Sequence, residues 1–105
     1  MIVLQLEILI SNPGFTTLDN VLLTSGVSSI LVWQQSNEVE NGVYMYNGSS
    51  SPLTRRADWV VGADASLWTI YVLGGTANGK GTYTCTQDVA VIGTNTIHFT
   101  IFFKQ

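Results

Sequence analysis

Residues 97–104 read Ile97-His98-Phe99-Thr100-Ile101-Phe102-Phe103-Lys104. Ile97, Phe99, Ile101 and Phe103 alternate with His98, Thr100, Phe102 and Lys104, a period of two that predicts a strand with one strongly apolar face and one mixed face. The start of the chain carries the same pattern. Leu4, Leu6, Ile8 and Ile10 share one face and Gln5 and Glu7 the other, ahead of the breaker Ser11-Asn12-Pro13-Gly14. Shorter strand candidates lie between these ends: Val21 to Leu23, Ile30 to Gln34, Val43 to Tyr46, Leu67 to Leu73, Thr82 to Thr86, and Val89 to Ile92. Asn41-Gly42, Asn47-Gly48, Asn78-Gly79, Gly74-Gly75 and Gly93-Thr94-Asn95 supply the reversals. Val, Ile, Thr and aromatic residues dominate, while the residues that fill helix surfaces are few. The expectation is an all-β fold, a small antiparallel β-sandwich or barrel, in a single domain spanning 1–105.

A chain of 105 residues has room for one core. Hydrophobic residues make up 46% of it and charged residues only 10%, against about 25% charged in an ordinary soluble domain. Part of that apolar excess must face either water or a partner, and a partner is the expectation. The net charge is −3 and there are four basic residues, Arg55, Arg56, Lys80 and Lys104. That balance argues against nucleic acid, whose binding rests on clustered Lys and Arg. The apolar stretch from Met1 to Ile10 is broken by Gln5 and Glu7 and has neither the length of a membrane span nor the basic start of an export signal. No membrane partner and no export are expected. The single Cys85 excludes an internal disulfide and a cysteine-rich zinc cluster, which suits the reducing cytosol of a host cell.

Cys85 and His98 are the one pair that can supply a thiol nucleophile and its base. Cys85 shares strand parity with Tyr83 and reads as a small core residue, and His98 falls on the mixed face of the last strand. The carboxylates Glu38, Glu40, Asp58, Asp64 and Asp88 are scattered, without the Asp-x-Asp-x-Asp spacing of a calcium loop or a recognisable acid pair. Turn capping, or pairing with Arg55 and Arg56, is their expected role. No catalytic residue, metal or cofactor is assigned. Among the aromatics, Trp68 and Tyr44 read as core. Trp33 alternates with Leu31 and Gln35, and Trp59 follows Asp58 in a loop, so these two are the candidates for contact with a partner. Asn47-Gly48-Ser49 reads as a turn.

From Asp19 the chain runs Asp19-Asn20-Val21-Leu22-Leu23-Thr24-Ser25-Gly26, then Ile30-Leu31-Val32 with Gln35 and Asn37, then Glu40-Asn41-Gly42-Val43-Tyr44 and Leu53-Thr54-Arg55-Arg56-Ala57-Asp58. Gly75-Thr76-Ala77-Asn78, Gly81-Thr82-Tyr83-Thr84-Cys85-Thr86 and Ile92-Gly93-Thr94 follow. In this order and spacing the segments resemble a repeat module of phage tail-fibre proteins, which has a D-G-V-x-L-x-x-G start, a V-L-V-K-x-Q strand, an E-N-G-I-Y hairpin and a W-T-R-A-x-D segment. Trp33 stands where those modules carry Lys, and Leu53 where they carry Trp. The resemblance places Arg55 inside the module's own motif and implies a virion structural protein, a capsid decoration, a cap, or a fibre or penton-associated module. A free-standing copy is expected to act through assembly on the particle surface. The other reading is a receptor- or glycan-binding tip that uses Trp33, Trp59 and the Asn/Ser-rich loops. Such fibres are commonly trimeric, so a homotrimer is expected, with Phe102 at a subunit or capsid contact.

Overall fold

The computed structural model describes residues 2–4 and 8–104, with 2–4 and 102–104 described as backbone only. Nine strands follow in chain order: β1 (Ile2–Leu4), β2 (Thr17–Leu18), β3 (Val21–Leu22), β4 (Ser29–Val32), β5 (Gly42–Met45), β6 (Thr54–Arg55), β7 (Thr69–Val72), β8 (Gly81–Thr84) and β9 (Thr100–Lys104). A single 3-10 turn at Glu38–Glu40 is the one helical piece among the described residues. The strands form a four-stranded sheet in the order β1-β4-β5-β6, a β2-β3 hairpin and a three-stranded sheet β7-β8-β9. All pairings are antiparallel except β1 with β4, which is parallel. The all-β expectation holds.

The arrangement is layered around β4 and β5. Leu31 and Val43 point into the larger core, where Ile70 and Val72 of β7, Tyr83 of β8, and Trp59, Cys85, Ile92, Ile97 and Phe99 close around them. On the opposite face Ile30, Val32, Tyr44 and Tyr46 meet Leu23 and Leu53, with Ile8, Ile10, Phe15, Leu18 and Val21 packed over them. Ile30, Leu31 and Val32 are all fully buried. A strand covered on one side alternates apolar with polar, whereas a strand covered on both sides is apolar without a break. The far side of the β7-β8-β9 sheet carries hydroxyls, with Thr69 Oγ1 3.2 Å from Thr84 Oγ1 and Thr86 Oγ1 3.3 Å from Thr100 Oγ1.

Both terminal segments depart from the alternating strands expected of them. Strand β1 ends at Leu4, Leu6 lies outside the described residues, and 8–10 are not in a strand. Ile8 and Ile10 still lean on the smaller core while Leu9 is exposed. Their backbone is held without a ladder: Gln35 Oε1 accepts from Ile8 N at 2.8 Å, Gln35 Nε2 donates to Ile8 O at 3.0 Å, and Leu53 N donates to Ile10 O at 2.8 Å. The buried Gln35 amide thus replaces a neighbouring strand. At the other end Ile97 and Phe99 are buried as expected, but β9 begins only at Thr100 and Ile101 is 43% exposed. Tyr83 pairs with Ile101 and Thr82 with Phe103, so Phe102 is the extra residue of a β-bulge and the alternation is reset there. Val89 to Ile92 forms only one bridge, between Val91 and Asp64.

The tight turn of the β2-β3 hairpin is made by Asp19 and Asn20, both at positive φ (49° and 66°). Two consecutive left-handed residues match the right-handed twist of the flanking strands, and Asp and Asn tolerate that conformation better than other side chains. Asp19 then ties the hairpin to the other half of the chain. Its Oδ1 accepts from Ala77 N and its Oδ2 from Asn78 N, each at 2.8 Å. Gly75, at φ +120°, lies so close to this carboxylate that a Cβ there would overlap Asp19 Oδ2.

Candidate contact surface

The 33–41 connection between β4 and β5 is organised by Asn41, buried at 1% exposure. Asn41 Oδ1 accepts from Gln35 N at 3.1 Å and its Nδ2 donates to Ile97 O at 2.8 Å, which joins this connection to the C-terminal segment. Arg55 closes the same region. Its Nη1 and Nη2 donate to the carbonyls of Asn41 and Val39, both at 2.9 Å, and its guanidinium lies 4.9 Å from the centre of the Tyr44 ring. Gly42 has no side chain because the Arg55 Nη1 occupies that space. Arg55 is therefore a bracket for backbone carbonyls. The ion pair of this stretch belongs to Arg56, whose Nε and Nη2 meet the two oxygens of Asp58 at 2.6 and 2.8 Å. That hydrogen bonding is the main reason the Asp58 carboxyl is held below the usual carboxylate range.

Trp59, expected at a contact, is buried at 2% exposure and belongs to the core. The turn that returns Trp59 N to Arg56 O, at 2.7 Å, points the indole inward, 5.2 Å from the Trp68 ring and 5.8 Å from Phe99. Trp33 is half-buried, with its ring edge-on to the buried Tyr83 at 5.4 Å. Phe102 lies in the backbone of β9, but its side chain is outside what the structure describes. Tyr44 is core as expected, whereas Trp68 is only partly covered. Together with Tyr71, exposed by 46%, Trp68 lines a cleft of ≈ 560 Å³ that Arg56 and Asp58 also line. The sequence reads Trp68 as core and singles out neither residue as a contact, since Tyr71 is one of several alternating strand residues.

Cys85 is fully buried; burial pushes its thiol up, and its Sγ donates to Gln87 Oε1 at 3.3 Å. The His98 ring sits at the surface, with Nδ1 2.9 Å from Glu38 Oε2 and Nε2 3.2 Å from Thr96 Oγ1. Asp64 caps two turns, accepting from Ser66 N and Ala90 N, both at 3.0 Å. Among the described residues no three His, Cys, Asp or Glu side chains gather as a metal set. None of the described helical segments is long and apolar enough to cross a membrane.

What the surface does offer is aliphatic. Val27 and Leu73, about 70% and 69% exposed, flank a second cleft of ≈ 310 Å³ with Val21 and Arg56. Val60, Val61, Leu67 and Val89 are exposed on loops that Asp64 joins through Ser66 and Ala90. Comparison with protein-family models, with curated proteins and with solved structures finds no match for the chain.

Proposed function

We propose that the chain is a structural module of a virus or phage particle, of the decoration, cap or fibre type, which acts by assembly with copies of itself and with neighbouring particle proteins. The observation that carries this reading is the surface. Large aliphatic side chains stand exposed at Leu22, Val27, Val61, Leu67 and Leu73 on a chain with only 10% charged residues. A small monomer gains nothing from such groups in water, and their burial between subunits contributes about 25 cal/mol per Å² of apolar area. Closed symmetry covers apolar patches without open-ended growth, and the tail-fibre resemblance sets the copy number at three.

The test has two arms. Light scattering on the purified protein is expected to give a trimer, and mass spectrometry of purified particles is expected to find the chain at fixed stoichiometry. Paired Val61→Lys and Leu67→Lys substitutions should weaken association while leaving the circular dichroism of the monomer unchanged. A stable monomer absent from particles rejects the proposal, whereas a monomer bound to particles rejects only the trimer.

A further inference from the structure

The cleft that Trp68, Tyr71, Arg56 and Asp58 line together has a composition that assembly does not require. Trp68 is fixed by its neighbours, and the backbone of Tyr71 by its strand. Trp68 meets Trp59 edge-on at an interplanar angle of 87°, and Trp59 is itself locked in the core against Phe99. Tyr71 projects from the regular pairing of β7 with β8, opposite Thr82. The ion pair is ordered as well, because the two-point contact of Arg56 with Asp58 sets both planes at once. That contact uses two of the five guanidinium N–H donors and one lone pair on each carboxylate oxygen, leaving donors and acceptors side by side. Both groups reach solvent, with side-chain exposures of 30% and 60%.

We propose that this cleft binds a neutral hexopyranose unit of a carbohydrate chain. A pyranose has a C–H face that packs on an aromatic ring and an edge of adjacent hydroxyls that both donate and accept, the two chemistries this cleft brings together. The ion pair neutralises itself, so a charged ligand gains no net Coulomb attraction, and a wholly apolar one would strip water from Arg56 and Asp58 without replacing it. The volume of ≈ 560 Å³ holds one or two sugar rings. Because Trp68 and the Arg56–Asp58 pair are pre-set, little ordering cost falls on them at binding. The proposal is independent of the assembly reading: either can fail while the other stands.

The experiment is a titration of the ¹⁵N-labelled chain with the methyl glycosides of glucose, galactose, mannose and N-acetylglucosamine. At least one is expected to shift the Trp68 indole N–H and Arg56 Nε–H resonances saturably, with a Kd of about 1–10 mM, ordinary for a small ligand on an open site. Tyr71→Ala and Asp58→Asn should each weaken that binding about 10-fold, about 1.4 kcal/mol at 25 °C, while Tyr71→Phe and the distant Val61→Ser keep it. Should Tyr71→Ala fail to fold, Asp58→Asn alone decides. The proposal is overturned if none of the four glycosides gives a saturable shift, if the Asp58 variant binds unchanged, or if N-acetylneuraminic acid binds more tightly than every neutral sugar. Particle incorporation of Tyr71→Ala, measured in parallel, is expected to be normal.

Discussion

Asp64 shows how much a single surface carboxylate can organise. Hydrogen bonds from Ala90 N and then Ser66 N hold its carboxyl below the usual range, and the Arg56 contact does the same for Asp58. In both cases the folded group is the stronger acid, so the unfolded chain binds more protons as pH falls. The stabilisation is present above the unfolded carboxyl value of about 4 and is lost as pH drops through the lower folded value. The urea midpoint is therefore expected to decline below about pH 4, and to decline less steeply in Asp64→Asn. An identical slope in the variant would remove Asp64 from the linkage. The tryptophans give the second prediction at this scale. Trp59→Ala should cost about 3–5 kcal/mol of unfolding free energy, as truncation of a fully buried aromatic does, and Trp33→Ala distinctly less; urea denaturation separates them. The sequence offers both as contact candidates, Trp33 from its strand alternation and Trp59 from its place in a loop, because a loop position says nothing about which way a residue just after a turn will point. The Arg56–Trp59 turn, which swings Trp59 inward, depends on a backbone hydrogen bond that residue types do not reveal.

Individual elements were legible in proportion to how regular they are. Strands β4, β5, β7 and β8 match their expected segments, none starting more than one residue outside; β4, β5 and β8 are inner strands with neighbours on both sides, and β7, at a sheet edge, still alternates because Ile70 and Val72 face the core. Strand β9 escaped in part, since one extra residue at Phe102 inverts the parity of everything beyond it, and a bulge has no composition of its own. In the β2-β3 hairpin, β3 lies inside the expected segment Val21 to Leu23, whereas β2 was hidden for a different reason. Asp19-Asn20 is sound turn chemistry, but strands of two residues are too short to show a period. That hairpin yields a prediction of its own, because its turn is fastened to the 75–78 loop through the Asp19 carboxylate. Asp19→Ala should cost about 1–2 kcal/mol, the worth of two partly exposed charge-assisted hydrogen bonds. Gly75→Ala drives a methyl into the same carboxylate and should also destabilise. In the double variant the overlap is gone, so its loss should be smaller than the sum of the two single losses, by thermal or urea unfolding. Simple additivity would show that the two residues do not act on each other.

Across the whole molecule, the two cores meet at a single sheet. The larger lies between β4-β5 and the β7-β8-β9 sheet, and the smaller is roofed by residues 8–23. The contact surface was the least legible level, since the Trp68 and Tyr71 cleft arises where the 56–59 turn passes the start of β7, a proximity that only folding creates. The doubly covered hairpin also has a bearing on the order of events in time. Neither outer layer can bury its apolar side chains until Ile30, Leu31, Val32 and Val43 present a surface on each face, and β4 and β5, which pair over four residues, are joined by the short 33–41 connection, whose closure costs little. The rate-limiting barrier to folding is then crossed when this hairpin forms, with both coats laid down afterwards. Leu31→Ala and Val43→Ala are expected to slow folding, with φ of about 0.5–0.8, while Leu23→Ala and Phe99→Ala mainly hasten unfolding, with φ below about 0.3. Stopped-flow chevrons read this directly, and equal φ in the two groups would mean that the layers condense together. If the hairpin leads, the chain acquires its central scaffold as soon as residue 45 is available and completes its last sheet only when β9 arrives.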